Sequence, residues 1–428
     1  MQRLGGAVIP MPQNLISEKD NNVLDAVTFI IGDKSIISGM SEIPAKRPFD
    51  ERIINFLETL SRKLMMSRGA KAYPDVVTLG FWIRKASVLK LKERFICDNG
   101  DVIIGRGVAF HIAPSNVPVN YAYSLITGLL TGNANVVRIP SKDFPQVTII
   151  NTAIKAALEN FEDIKPYICL VKYGRDQKVN DLFSKIADTR IIWGGDNTIE
   201  QIRKSPLGPR ASEIAFADRY SLAIIDSDKY MILDNKIRFA EEFYNDTYLS
   251  DQNACTSPRV VVWIGNHRDE AKKLFWDSLH KLVKEKYQFQ SIMGINKLTS
   301  SYLVAVAVEN VHIEPVEDNL VVRVNVPKMN ADLMRLKDNS GFFFEYDCES
   351  ILELKNLCDN THCQTIGFFG DREQIMPLLA AGIKGVDRVV PIGKTMDFDF
   401  IWDGYNLVER LTRTIKVRLS YNNNSCKL

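Results

Sequence analysis

No two of the seven cysteines in this 428-residue chain stand at Cys-x-x-Cys spacing, and their number is odd. That argues against both a disulfide framework and a zinc site, and predicts a reducing compartment, the cytoplasm. His362 and Cys363 with Cys358 and Cys348 fit no standard zinc spacing either, so no metal is expected. A surplus of one charge is also missing: 54 Lys and Arg face 52 Asp and Glu, with the signs interspersed. Without a basic stripe, nucleic acid is not an expected partner. Met1–Met11 holds one Arg and no long apolar run, so it does not read as a signal peptide. No internal repeat is evident, and the only biased tract is the polar tail Asn422–Ser425.

One stretch mimics a membrane span. Gly107 to Val137 carries no Asp, Glu, Lys or Arg, yet it contains Pro114, Pro118, four Asn and three Gly. Such a backbone would not stay helical and satisfied in lipid, so the stretch is expected to be buried core of a soluble protein, with no membrane span.

What is present is an α/β pattern. Phe49–Arg68 has apolar residues at helical spacing (Ile53, Phe56, Leu57, Leu60, Leu64). From Ala86 to Ile112 the runs look β-rich, with Asp98-Asn99-Gly100 between Phe95-Ile96 and Val102-Ile103 predicting a hairpin. Strands at Val108–Ile112, Asn135–Ile139, Ile168–Val171 and Arg190–Trp193 then alternate with helices near 120–130, 146–160 and 179–187. That predicts a parallel sheet covered on both faces. Nucleotides bind such sheets at the carboxyl ends of the strands, here the loops Ala113–Pro118, Pro140–Asp143 and Gly194–Thr198. A second alternating region follows Arg259, with strand Val260–Ile264, a solvated amphipathic helix Asp269–Lys286, and strands at Tyr302–Val306 and Leu320–Val326. The expected division is a helical lead-in over 1–80, a nucleotide-binding domain over 81–225 with an oligomerisation arm at 86–104, a catalytic domain over 226–395, and a C-terminal segment over 396–428.

Three pieces carry possible chemistry. Cys255 ends the small-residue loop from Tyr248 and precedes an apolar strand, where a thiolate is reachable and Arg259 would favour the anion; inert packing is the competing explanation. Asn116, in a loop bounded by Pro114 and Pro118, could donate to an oxyanion, but the residues alone favour the plainer reading, with Gly132-Asn133 an ordinary helix stop. Gly194-Gly195 after strand Ile191–Trp193 permits close approach of a phosphate to a helix start, as in many other αβ turns.

The order of these pieces resembles the aldehyde-dehydrogenase superfamily from about Gly105 onward. Pro-Ser-Asn116-Val-Pro is similar to its Pro-Trp-Asn-Phe-Pro, Gly132–Lys142 to its Gly-Asn-Thr-Val-Val-Leu-Lys-Pro-Ser-Glu, and Ile192–Gly195 to its Phe-Thr-Gly-Ser. Cys255 stands where its catalytic cysteine stands, and Phe342–Asp371 is similar to the stretch before its last strands. The C-terminal Arg388–Gly393, Trp402-Asp403-Gly404-Tyr405-Asn-Leu407 and Leu411-Thr-Arg413 resemble the LuxC-type acyl reductases. Trp402 there either walls a substrate channel or anchors the last strands.

The resemblance implies an aldehyde-dehydrogenase-like α/β fold with Cys255 as nucleophile and Asn116 as oxyanion donor. Ala113, Pro114, Ser115, Arg138, Ser141, Lys142, Gly194 and Gly195 would lie at a nicotinamide cofactor. Lys142 replaces the acid that pairs with the adenosine ribose, which implies NADPH, with NADH the alternative. The superfamily's Glu-Leu-Gly-Gly becomes Phe216-Ala-Asp-Arg, so the hydrolytic glutamate is missing unless Glu213 or Asp218 substitutes. The implied reaction is reduction of a fatty acyl-CoA or acylated protein to the aldehyde. An acyl-protein synthetase partner and a homo-oligomer, built through the 95–103 hairpin and a strand near 415–419, are implied as well. A hydrolytic aldehyde dehydrogenase and a non-catalytic scaffold subunit are the competing readings.

Overall fold

The computed structural model describes residues 3–4, 7–8, 18–67, 69–96, 100–315 and 318–418. It divides into two compact units, one formed by 1–216 with 406–428 and the other by 217–405.

The first unit is built on a six-stranded sheet in the order 28–31, 168–172, 134–138, 108–112, 189–193, 212–216. All neighbours are parallel except the 28–31 edge. The central strand Val108–Ile112 is buried along its whole length, as expected of a strand covered on both faces. From it the chain winds outward to 134–138 and 168–172, then returns to the other side for 189–193 and 212–216. The winding direction therefore reverses between 108–112 and 189–193, the crevice at which open α/β sheets bind ligands. The uncharged stretch 107–137 is a strand, the buried helix Asn120–Leu130 and a second strand. No described helix is long and apolar enough to cross a membrane.

The second unit holds a seven-stranded sheet in the order 312–313, 322–325, 342–347, 258–264, 220–226, 363–369, 388–391. Only the 312–313 edge is antiparallel. Its two faces separate by strand alternation. Leu222, Ile224, Val260 and Val262 pack toward Val304, Leu354 and Leu378. Ala223, Ile225, Val261 and Trp263 pack toward Phe243, Phe275 and Trp276.

Two local expectations fail. Lys85–Phe95 is a helix, not the first arm of a hairpin, because Val88 and Leu91, three residues apart, are buried. Asp98 and Asn99 lie outside the described residues. The partner of Val102–Gly105 is instead the distant strand Thr412–Ile415, paired antiparallel. Likewise Tyr302–Val306 belongs to the helix Ser291–Ala307, whose Gly294, Lys297, Ser301 and Val304 face inward at helical spacing. That apolar run looked like a strand because its outward residues are also apolar: Ile292, Ile295, Leu298, Tyr302, Leu303 and Val306 are all exposed.

Candidate active site

In the second unit, Cys255 sits just before strand Pro258–Ile264, level with the amino ends of the neighbouring strands 220–226 and 363–369. Its loop is fixed by buried polar groups. Gln252 Nε2 donates to the carbonyls of Pro258 (3.0 Å) and Phe342 (3.3 Å), and its Oε1 accepts from the N–H groups of Gly341 (2.7 Å) and Phe342 (3.1 Å). All the hydrogen-bonding capacity of that amide is thus used, three bonds on residues 341–342 and one on Pro258. Asp251 and Gln252 both adopt left-handed backbone, φ 50° and 54°, a conformation that persists where surrounding bonds over-determine it. Gly341, at φ 90°, leaves room that a Cβ would take from the Tyr248 hydroxyl at 2.3 Å and the Leu320 carbonyl at 2.4 Å.

Arg259 does not reach out to a thiolate as a free cation. Its buried guanidinium donates to the Asp338 and Gln252 carbonyls and to Asn339 Oδ1, and burial pulls its pKa down to about 10. Lys297, also buried, donates to the carbonyls of Asn319 and Ser340 from beneath the same segment, and desolvation lowers it to about 8. Asn253, standing where hydrolytic relatives have Gln, accepts from Asn339 Nδ2 at 2.9 Å.

The thiol itself is at rest in a discouraging environment. Cys255 is partly buried, and desolvation, followed by the nearby Asp403 carboxylate, pushes its pKa up to about 12. A hydrogen bond from the Gln364 side chain and the charge of Arg219 oppose that shift. The Cys255 carbonyl accepts from Ser221 Oγ at 2.8 Å, which in turn accepts from the Thr365 N–H at 3.3 Å. No motif in the sequence assigns a role to Arg219, Ser221, Gln364 or Asp403. Asp403 lay within a recognised motif, whereas nothing local marks Gln364.

The two candidate bases fare differently. Glu213 belongs to the first unit, where it accepts from Arg190 (2.6 Å) and Arg203 (2.7 Å) and is committed to that ion pair. Asp218 is largely exposed, with Lys337 at 3.4 Å. Trp402 is buried against Phe398 and under the Arg388 guanidinium, 4.4 Å from its ring centre, an anchoring role.

In the first unit, the loops after strands 108–112 and 189–193 flank the crevice. Ala113 and Pro114 are half-buried, while Ser115 and Asn116 are exposed. Gly194 allows the Thr198 side chain to close in, where a Cβ would meet it at 3.0 Å. A Cβ at Gly195 would meet nothing within 4 Å, so this glycine borders open space as a cofactor cradle requires. Asp196 already places an acid in the first turn of the following helix. After the next strand, Ser141 and Lys142 are exposed, and Lys142 lies over the Phe144 ring. Arg138 turns away to stack on Tyr173 and to donate to the carbonyls of Tyr173 and Gly174. Of the two cations there, Lys142 is exposed while Arg138 is committed to the carbonyls of Tyr173 and Gly174. No group of three or more metal-type ligands occurs among the described residues.

Comparison with known proteins shows what this geometry is similar to. Residues 96–288 match the acyl-CoA reductase (LuxC) family. Over that segment the chain is similar to the LuxC acyl-CoA reductases. The matched segment includes Asn116, Gly194, Gly195 and Cys255. The chain is 24% identical over 329 residues to a long-chain acyl-protein thioester reductase of Photorhabdus luminescens, covering 72% of this chain and 63% of the relative. With the protein of the same name from Vibrio harveyi it shares 21% over 336 residues, 74% of this chain and 65% of the relative. It thus spans just under two thirds of the length of these relatives.

Solved structures establish the fold expected from the motifs. An NAD-dependent benzaldehyde dehydrogenase from Corynebacterium glutamicum superposes with a TM-score of 0.60 at 15% identity, covering 92% of this chain and 90% of that one. Lactaldehyde dehydrogenase from Escherichia coli gives 0.59 at 14% identity, covering 90% and 89%. The fold is that of the aldehyde dehydrogenases.

Proposed function

We propose that this chain reduces a fatty acyl thioester, carried on CoA or on a protein, to the aldehyde with NADPH. The observation that carries the reading is the pairing of a braced cysteine loop with the commitment of Glu213 to Arg190 and Arg203. A nucleophile is presented, and Glu213 is not free to activate water against the acyl-enzyme.

The Cys255 sulfur adds to the thioester carbonyl as its proton is released to solvent, with Asn116 donating to the oxyanion, and the departing carrier sulfur takes a proton back. Collapse expels the carrier as a thiol and leaves an acyl group on Cys255. A nicotinamide cofactor, when bound, would supply the hydride chemistry that reduces that acyl group. The thiohemiacetal on Cys255 then releases the aldehyde, and the sulfur is freed for another cycle. Lys142 would hold the 2′-phosphate of NADPH, and Gly194 and Gly195 would allow the cofactor's close approach. The reading includes an acylating protein partner of synthetase type, since the relatives are named for acyl-protein substrates. It also includes a cytoplasmic homo-oligomer assembled through the open edges of the 102–105/412–415 ribbon.

The test is NADPH consumption with myristoyl-CoA, with product identification. Tetradecanal formed in step with NADPH loss is expected. Myristic acid as the product, or no consumption with myristoyl-CoA, a myristoylated carrier protein, or NADH in place of NADPH, would contradict the reading.

A further inference from the structure

We propose that the basic face of the helix layer 51–95, centred on Phe81 and Arg84, is the docking surface for an acidic protein that carries the acyl group. This deepens the reading of a protein-borne thioester and rests on it.

The charge is local. Residues 51–95 hold ten Lys and Arg against four Asp and Glu, which leaves 44 against 48 for the rest of a chain that totals 54 against 52. An excess of six positive charges thus falls within one layer built from the helices Glu51–Met66, Pro74–Trp82 and Lys85–Phe95, while the remainder is net negative. Ser61 Oγ joins the first helix to the second through the Gly80 carbonyl at 2.7 Å. Glu58 joins it to the third, accepting from the Lys85 N–H at 2.8 Å while also pairing with Arg62 Nε at 3.1 Å. Asp75 is engaged by the Val76 N–H (2.9 Å) and by Gln146 (3.3 Å). Arg84, Lys85, Lys90 and Lys92 are all exposed.

Phe81 gives this charge an apolar centre. It is 42% exposed, its ring lies 4.6 Å from the Arg84 guanidinium, and its carbonyl accepts from Arg84 Nε (3.2 Å) and Ser87 Oγ (3.1 Å). Met66 and Leu89 are exposed as well. An aromatic ring with an arginine stacked on it, flanked by apolar side chains and rimmed by lysines, is the make-up of a protein contact. Its centre supplies affinity, and its charged rim steers a partner of opposite sign. Two other anionic partners fit worse. A membrane surface needs the apolar side of a helix turned outward, whereas Ile53, Phe56, Leu57, Leu60, Val88 and Leu91 are all buried. A nucleic-acid backbone offers nothing apolar to Met66 and Leu89, and Arg84 already lies over the ring on which a base would stack.

The surface also adjoins the loop that carries Asn116. Trp82, next after Phe81, packs on Tyr123 with ring centres 5.1 Å apart. Tyr123 stands in the first turn of helix Asn120–Leu130, which follows that loop. A carrier seated on Phe81 and Arg84 therefore lies beside the elements that hold the oxyanion donor.

The test compares two donors of one acyl group on the full chain, an acidic myristoylated carrier protein and myristoyl-CoA. Lys90→Glu with Lys92→Glu is expected to raise the KM for the carrier protein about tenfold and to leave the KM for myristoyl-CoA and both kcat values within about twofold. In the wild type the carrier-protein KM should rise between about 50 and about 300 mM salt, and in the variant it should not. Should that variant not fold, Arg84→Gln must show the same split between donors. Equal effects on both donors, or none on the carrier protein, would overturn the proposal. So would a rise in the KM for myristoyl-CoA alone, which would assign the face to the nucleotide of CoA. Binding of duplex DNA or of phosphatidylserine vesicles that the variant loses while carrier binding is unchanged would overturn it too. Fluorescence anisotropy of a labelled carrier separates this surface from the chemistry. A carrier held by the wild type and released by the variant, with no aldehyde formed from either donor, would contradict the reductase reading and leave the docking surface standing.

Discussion

Around Cys255, Gln252 uses four hydrogen bonds, Arg259 two and Lys297 two on holding backbone in place. The loop that carries Asn116 instead lies between two prolines, with Ser115 and Asn116 exposed at the surface. Both loops stand at sheet ends, one at the amino ends of parallel strands and the other at the carboxyl ends. The difference is that the position of Cys255 is set by the folded protein before any ligand arrives. Asn116 owes its position to two fixed proline φ angles and to little else. Removing a brace in the first loop should cost stability, whereas truncating the second should cost only rate.

The sharpest way to break that comparison is Asn116→Ala. It is expected to lower kcat by about 100- to 1,000-fold, the usual effect of losing an oxyanion donor. Urea unfolding should shift by no more than about 0.5 kcal/mol, as for other exposed positions. A large loss of stability would show that the loop is a structural brace after all. Gln252→Leu should do the reverse, costing about 2–4 kcal/mol in the second unit by orphaning buried backbone groups. A variant as stable as the wild type would contradict the account of that loop.

The units also differ in their response to acid. His111, buried in the first sheet between Ser124 Oγ (2.7 Å) and Asn135 Oδ1 (3.0 Å), is held down to about pKa 4 by desolvation. Below about pH 6.5 an unfolded chain takes up the proton and the folded one does not, so this group's contribution to stability is lost as pH falls toward 4. The loss is on the order of 3 kcal/mol. In the second unit the sign is opposite. Burial raises Asp246 to about 7 and Asp403 to about 6, so they add stability as pH falls below those values. Hydrogen exchange at pH 5 against pH 7 should show the core of the first unit loosening relative to the second, and His111→Gln should remove that trend. Equal responses in both units would count against it.

The smallest effect concerns the cofactor. Lys142→Ala should raise the KM for NADPH about tenfold and leave that for NADH unchanged. Loss of both together would remove the case for a 2′-phosphate contact.

The parallel core was legible because its strands are short apolar runs bounded by turn residues. Val108–Ile112 is a strand with the same ends in sequence and structure. Lys85–Phe95 and Ser291–Ala307 were not, for a common reason. The first lies beside an Asp-Asn-Gly turn signal, and the second carries apolar residues on its exposed face, so in both local composition masked a helical period. Cys255, Asn116 and the glycines could be picked out because each lies in a compact motif. Gln364, Asp403 and Arg219 meet only through the sheet, from positions up to 184 residues apart, and no spacing along the chain encodes that meeting.

The most direct test of the central claim, that Cys255 takes the acyl group as a thioester, is intact-protein mass spectrometry after incubation with myristoyl-CoA in the absence of nicotinamide. The account predicts one myristoyl adduct on the wild type, none on Cys255→Ala, and its discharge as aldehyde when NADPH is added. An adduct that persists in Cys255→Ala, or a wild type that never acquires one from myristoyl-CoA or a myristoylated carrier protein, would contradict it.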